Sequence, residues 1–451
     1  MSGRQAVLRI PDVKPELKEL EIPREAVVSG DHPVILAMAD GLASMGISVT
    51  LVHPFGEIEE IVAPLRGLME ADDEVSRKYA FLTEKVSNNK SIKVMGLSTL
   101  VAVEGWWGNF TAEILQDGKL ATVKAPGLAL AYRGNPKVPE AFSTDDVKGF
   151  SEFLGQFDFR KGGMKKVPNP VKRIAFVLDV EKRDEKWPSV TALRFGTYLK
   201  EFGSQVYILC RDFKVSVDDM EREYRMAREA GVMIFKYEDL PTIQKGGQGI
   251  RLTFRDASAV SREKPLEVTL EDLDAVVVQE NILPAEEQVE LLAQLRIPSE
   301  GGFVGPNNPQ FTGRTAKKGV VVGGDTWYPE YPTDAMTTAL SASQELFKWV
   351  GKGTYKIDVE RVAEVDPSKC ATCLTCYRIC PHDSIRVERY GERNVYITAG
   401  AKEGPTWEAA RVKVETCNGC GLCASECPAK AIQLVYYPDM EVYDFLEGNL
   451  R

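Results

Sequence analysis

The chain has 451 residues, 44% of them hydrophobic, enough for two to four packed domains. Its formal net charge is −10 and it has no long Lys/Arg block, which excludes nucleic acid and an anionic membrane surface as partners. No apolar run reaches the roughly 18 residues a spanning helix needs, and the opening MSGRQAVLRIPDVK lacks the charged-then-apolar order of a signal peptide; the expectation is a soluble, cytoplasmic protein with no direct membrane span.

Residues 1–25, rich in Pro, Lys and Glu, read as an N-terminal arm. The stretch Ala26–Pro54 then runs apolar strand, turn, amphipathic helix, strand, the opening unit of a nucleotide-binding βαβ fold. Its turn, Ser29-Gly30-Asp31-His32-Pro33-Val34, lacks the glycines that let a backbone and a helix N-terminus approach a pyrophosphate. A charged helix is expected over 57–86. Residues 91–134 alternate in strand fashion with turn signals at Gly105, Gly108 and Asp117-Gly118, a small meander in which Trp106 and Trp107 are packing residues.

A Pro-rich stretch, 162–173, separates a second α/β unit. Strands are expected at 174–180, 204–212 and 273–283, with a helix at 189–203 and a helix leading into a strand over 219–237. No G-x-G-x-x-G follows its first strand; EKRDEKWPSV stands there instead. Cys210, alone on a strand, reads as a buried small hydrophobe. Residues 319–350 read as an apolar strand, a Gly323-Gly324-Asp325 turn and a helix capped by Thr333 or Asp334.

Eight of the nine cysteines lie in the last 82 residues, and the only histidines are His32, His53 and His382, too few to build haem or zinc sites from several His. CATCLTCYRICP places Cys370, Cys373, Cys376 and Cys380 before Pro381; CNGCGLCASECP places Cys417, Cys420, Cys423 and Cys427 before Pro428. Each is C-x2-C-x2-C-x3-C-P, the bacterial ferredoxin run for [4Fe–4S] clusters, in which the fourth cysteine serves the other cluster. One cluster then takes Cys370, Cys373, Cys376 and Cys427, the other Cys417, Cys420, Cys423 and Cys380. A zinc ribbon would use two C-x2-C pairs rather than two runs of four ending in Cys-Pro. Between the runs, 384–400 reads as a β-hairpin around Gly391, packed on its own domain. Two such clusters pass single electrons and do no group chemistry by themselves. The aromatic, acidic tail 436–450 reads either as a docking strand or as packing on the same domain.

In order, the chain is βα, meander, βαβ, strand–turn–helix, ferredoxin. That order resembles the family of A-type subunits of heterodisulfide reductase, including the homologous flavin subunits of quinone-interacting oxidoreductases. The likeness covers nearly the whole chain: the meander SIKVMGLSTLVAVEGWWGNFTAEI, the second unit from DVEKRDEKWPSVTALRF onward, and GGFVGPNNPQFTGRTAKKGVVVGGD before the ferredoxin module. It implies an α/β fold of two degenerate Rossmann-like domains of the disulfide-reductase flavoprotein type plus an α+β 2[4Fe–4S] ferredoxin domain. The implied division is arm 1–25, first (FAD-type) domain with meander 26–165, second (NAD-type) domain 166–300, a return to the first domain over 301–355, and ferredoxin domain and tail 356–451.

The resemblance also implies FAD and partner subunits in a redox complex, with homodimerisation or pairing with a homologous flavin subunit. Three departures bear on the flavin. The glycines of the first turn correspond to Ser29, Asp31 and Val34; the ribose-binding acid corresponds to about His53; and the family's second-domain cysteine cluster is absent from KWPSVTALRF. Gly324 and Asp325 match the turn that meets the ribityl chain, although Gly323-Gly324-Asp325 also serves as a plain strand-ending turn. Two functions stay open. The chain is an iron–sulfur electron-transfer subunit whose scaffold docks partners, or an FAD-containing oxidoreductase subunit that converts paired electrons into single ones, bifurcation included. Whether it is an enzyme in its own right turns on that choice.

Overall fold

The structure, a computed structural model, describes residues 17–142, 146–156, 171–181, 186–215, 219–245, 248–261, 264–305, 311–358, 362–390 and 407–435. The strands β2 (Glu25–Ser29), β3 (Ser48–Val52), β4 (Ile92–Met95), β8 (Gly127–Leu130) and β19 (Val320–Val322) form an all-parallel sheet in the order β19-β8-β2-β3-β4. Their Val, Leu and Ala side chains are mostly buried on both faces, as a covered parallel sheet demands. The helix α1 (Ile35–Ser44) is buried from Ile35 through Asp40, because it lies between this sheet and α8 (Pro332–Val350). The cap of helix α8 lies two or three residues ahead of the expected Thr333 or Asp334. Tyr331 is the cap and Pro332 opens the helix, since proline's fixed φ suits a first turn that needs no N–H.

The segment 57–86 is broken rather than one helix. Two 3₁₀ turns (Ile58–Glu60 and Ala63–Leu65) lead to α2 (Arg66–Ala71) and α3 (Asp73–Asn88). The break before α3 is Asp72, which stands extended and accepts from the N–H groups of Glu74 and Val75 at 2.9 and 3.1 Å, a helix cap. The meander is narrower than 91–134: only β5 (Ser98–Trp106), β6 (Asn109–Gln116) and β7 (Lys119–Ala125) form the antiparallel sheet, while β4 and β8 at its ends belong to the parallel one. Part of the expected arm is a strand, and residues 1–16 lie outside the described residues. Residues Leu17–Glu21 are β1, paired antiparallel with β20 (Thr354–Asp358), a partner too distant in sequence for local pattern to reveal.

The second domain repeats the plan. The strands β10 (Val147–Gly149), β11 (Arg173–Val177), β12 (Gln205–Cys210), β13 (Met233–Lys236) and β17 (Ala275–Val278) form a parallel sheet in the order β10-β17-β11-β12-β13. Helices α4 (Phe150–Leu154), α5 (Trp187–Glu201) and α6 (Met220–Glu229) accompany it. Cys210 is fully buried at the end of β12, where burial pushes its thiol up to about 12 and leaves it inert. A three-stranded antiparallel sheet, β14 (Thr242–Lys245), β15 (Ile250–Ser261) and β16 (Lys264–Leu273), precedes β17 and has no counterpart in the sequence reading. The expected strand 273–283 divides into β17 and β18 (Asn281–Leu283), which pairs with β9 (Asn135–Lys137) before α7 (Glu286–Gln294).

The C-terminal module pairs β21 (Ala363–Val365) with β24 (Ile432–Leu434) and β22 (Ile385–Tyr390) with β23 (Trp407–Val412), around α9 (Thr375–Ile379) and α10 (Leu422–Ser425). The strand expected to turn back near Gly391 finds its partner at 407–412; Gly391 and the tail 436–450 lie outside the described residues. Among the described residues no helix is long and apolar enough to cross a membrane.

Candidate functional site

The two cysteine runs fold as near copies. Each loop enters left-handed backbone at the same steps: Thr372 and Leu374 (φ 51° and 62°) in the first, Gly419 and Gly421 (64° and 80°) in the second. Three residues after each fourth cysteine the chain does so again, at Asp383 and Lys430. Those turns bring the Ser384 N–H to Cys380 Sγ and the Ala431 N–H to Cys427 Sγ, both at 3.3 Å. Further N–H groups, of Ala410 and Gly419, reach Cys370 Sγ (3.4 Å) and Cys417 Sγ (3.5 Å). Such bonds stabilise negative charge on sulfur.

The result is two hollows. Cys370, Cys373, Cys376 and Cys427 line one; Cys380, Cys417, Cys420 and Cys423 line the other. Among the described residues no three His, Cys, Asp or Glu side chains are placed to share a single metal ion. The thiols of each set instead face one shared hollow. As a bare thiol, Cys423 is pushed up to about 12 by burial and by its cysteine neighbours. Four thiolates therefore share that ring only around a cationic body, so the donor set fits an iron–sulfur cluster.

The first βα turn is a cradle filled by its own chain. The Val34 N–H, at the start of α1, donates to His32 Nδ1 at 3.2 Å, and the His32 N–H donates to Ala131 O at 3.2 Å. The His32 ring lies against Gly324, where a Cβ would meet it at 2.5 Å, and its Nε2 is 3.8 Å from Asp325 Oδ1. Burial holds His32 below its ordinary pKa, so the ring is neutral. Asp31 accepts from the Arg133 N–H at 2.7 Å and, with Glu287, lines a small hollow of about 110 Å³ beside the turn. A diphosphate at this position would meet a spent helix N-terminus and two carboxylates. These residues do not fit it in the place the resemblance implies. Gly30 serves packing, since a Cβ there would lie 1.7 Å from Ala131 O. His53 is buried and stacks on Phe55.

On the other side of His32 a cavity of about 370 Å³ opens between the two domains, walled by Pro33, Leu65, Phe150, Trp187, Tyr331 and Asp325. Asp325 also accepts from the Gly134 N–H at 2.9 Å. Glu330, on the cavity wall, is pushed up to about 7 by burial, and its Oε2 is a buried atom with no partner. Beneath the cavity the domains are braced. Arg194 of α5 donates to Asp72 (2.5 Å) and to both Glu223 oxygens (2.9 Å), and Tyr331 Oη donates to the same Asp72 carboxylate at 2.5 Å. Burial raises the pKa of Asp72, but these donors outweigh it and hold the carboxyl below its usual range.

The cysteine module attaches at the opposite, N-terminal edge of the first sheet. Trp107, 1% exposed, packs edge-on against Tyr355 and donates its Nε1–H to Glu415 O at 2.8 Å. Lys318, two residues before β19, donates to Cys417 O at 3.3 Å, and Arg296, beyond α7, reaches Asp383 at 3.1 Å. The sequence reading singled out the eight cysteines, which gather in the two hollows, and Gly324 and Asp325, which lie beside His32; it took Trp107 as packing. It missed the His32 plug, the Arg194 brace and the basic seam of Arg296, Lys317 and Lys318. Only the last left a local sign: two lysines directly ahead of a buried apolar strand.

Residues 369–431 match the family model of the 4Fe-4S dicluster domain. A protein of Archaeoglobus profundus named as like the A-type subunit of heterodisulfide reductase is 26% identical over 231 residues, 49% of this chain and 32% of its own. The A-type iron-sulfur subunit of CoB–CoM heterodisulfide reductase from Methanocaldococcus jannaschii is 25% identical over 291 residues, 62% of this chain and 41% of its own. The chain thus spans less than half the length of these two relatives. Ferredoxin-3 of Rhodobacter capsulatus is 30% identical over 74 residues, 15% of this chain and 73% of its own. Among solved structures, the thioredoxin reductase of T. acidophilum superposes with a TM-score of 0.46 at 16% identity, over 72% of this chain and 98% of that one.

Proposed function

We propose, for a chain whose C-terminal module belongs to the 4Fe–4S dicluster ferredoxins and which is homologous to the A-type subunits of heterodisulfide reductase, that it is an iron–sulfur electron-transfer subunit of a multisubunit oxidoreductase. The observation that carries this reading is the pair of four-cysteine rings, each closed by a cysteine from the other run. Cys370, Cys373, Cys376 and Cys427 hold one [4Fe–4S] cluster, and Cys380, Cys417, Cys420 and Cys423 the other. Bound there, the clusters supply one-electron redox chemistry. The chain's own residues fix the sulfurs, direct N–H groups at them, and hold the module to the scaffold through Trp107, Lys318 and Arg296.

The scaffold serves as a rigid docking body between partner subunits. Relatives named as subunits of heterodisulfide reductase support a complex of this kind. The flavin-dependent alternative rests on the cavity beside Asp325 and would need an anchor other than the first βα turn. Gly324 lies against His32 and Asp325 accepts from the Gly134 N–H, so both turn residues already serve contacts within the chain.

Iron, sulfide and flavin contents of the anaerobically purified chain test the proposal together. Roughly eight irons and eight sulfides per chain, as two cubanes require, with no stoichiometric flavin, are expected. Four irons or fewer would overturn the dicluster reading. One FAD per chain would overturn the docking-scaffold reading and leave the clusters standing.

A further inference from the structure

We infer that Lys318, backed by Lys317 and Arg296, sets the two cluster sites at different potentials, with the ring of Cys380, Cys417, Cys420 and Cys423 the higher. The inference rests on the dicluster reading above. The two halves of the module are near copies in backbone and in the N–H bond to each fourth cysteine, and differ locally in the Thr375 hydroxyl at Cys373 and in the N–H donors to Cys370 and Cys417. The surroundings separate them further, because the scaffold's buried lysine and its lysine at Cys417 lie on one half.

Lys318 Nζ is fixed on that side between Cys417 O at 3.3 Å and the Trp349 ring at 5.9 Å. Lys317, 8% exposed, acts on Asp383 and Cys380. Arg296 Nη1 lies 3.1 Å from Asp383 Oδ1, and its Nη2 donates to Tyr377 Oη at 3.0 Å. Arg386 grips the same carboxylate at 2.8 Å. Arg296, Arg386 and Lys317 thus act on Asp383, three residues after Cys380, and Lys318 sits at Cys417. Around the twin ring the balance differs. Lys369 is paired with Asp366 at 3.2 Å, while Arg378, which acts on Cys373, and Lys430, the counterpart of Asp383, are not buried against the scaffold.

Reduction adds one negative charge to a site. A fixed cation a few ångströms away lowers the cost of that charge, and does so most where water is excluded. Exposed cations are screened by solvent and salt and do less. An electron delivered to the module therefore comes to rest against the scaffold, and the outer ring faces whatever donates or accepts it.

The test is a potentiometric titration of the loaded full chain, followed by electron paramagnetic resonance, with dithionite supplying one electron per cluster. Wild type should reduce in two steps. Lys318→Gln should lower the equilibrium constant of the upper step about tenfold, about 59 mV for one electron, and leave the lower step in place. Lys318→Arg should restore the upper step, and Lys317→Gln should lower it in the same direction. Cys420→Ser should delete the upper step and Cys373→Ser the lower. Equal shifts of both steps, no shift, or an Arg variant as displaced as the Gln variant would overturn the inference. A chain with about four irons and a single step would instead mean that the dicluster reading had failed.

Discussion

The turn at Gly30–Val34 and the loops at Cys370 and Cys417 are the same kind of object. Each bends the chain so that backbone N–H groups face inward, toward a place where negative charge can sit. They differ in what occupies that place. In the βα turn the chain fills its own cradle: His32 takes the Val34 N–H, and Asp31 brings a carboxylate to where phosphate would lie. In the cysteine loops the N–H groups point at sulfur, the atoms that face the shared hollow. A fold supplies a cradle, and the cradle is a site only while its donors remain unspent.

Removing one sulfur is the strongest way to break the open side. Cys373→Ser and Cys420→Ser should each cut iron from about eight to about four per chain. Cys427→Ser should erase the resonance signal that Cys373→Ser erases, although Cys427 lies in the other run. Loss of the opposite signal would refute the crossed assignment.

The filled side is braced as well as plugged, and the brace can be cut. Arg194→Met leaves Asp72 and Glu223 without their buried cation, and the loss should reach about 3 kcal/mol in chemical unfolding of the loaded chain. The cost should shrink at low pH. Asp72 titrates below its unfolded value, so its contribution is complete above pH ~4 and disappears as pH falls through the native pKa. A cost that does not change with acid would remove Asp72 from the account.

Glu330 has the opposite sign. Its native pKa, about 7, stands above the ordinary 4.5, so the folded chain holds a proton that the unfolded chain releases. Stability therefore falls as pH rises through that window. Glu330→Gln cannot ionise, and should be the more stable form at pH 8 by about 3 kcal/mol. The advantage should vanish near pH 4, and melting curves across pH would show it.

Unplugging the turn tests the comparison directly. The double change of Asp31 and His32 to glycine frees the start of α1, and should tighten ADP binding about tenfold, roughly 1.4 kcal/mol, by calorimetry. Unchanged affinity would mean that the backbone itself is closed. The smallest expected effect lies within the open loops. Leu374 holds left-handed backbone where Gly421 stands in the twin loop. Leu374→Gly should stabilise the module by about 1 kcal/mol, and Gly421→Ala should destabilise it similarly, in cluster-release rates.

Much of this architecture was legible in the chain. The parallel strands announce themselves as runs such as VVVGG and IAFVL, because both faces are buried and no alternation is needed. The cysteine spacing alone paired each run with the other's fourth residue, because a cubane admits few loop geometries. What stayed hidden was long-range. The strand Leu17–Glu21 has its partner at Thr354–Asp358, and Asp72 becomes a brace only when α5 brings Arg194 to it. The antiparallel sheet of 242–273 was missed because its partly exposed, charged strands resemble loop.

Sequence by itself determined the cofactor class, since ligand identity and spacing are local properties of eight cysteines. It also showed that the phosphate glycines were missing. Only the tertiary structure decided what took their place: His32 turned back onto Val34 and Gly324, the second a contact between residues nearly 300 positions apart. Only it decided which cysteine ring lies against Lys317 and Lys318. Local geometry follows from neighbouring residues, whereas charge and burial at a site depend on whatever the rest of the chain packs against it.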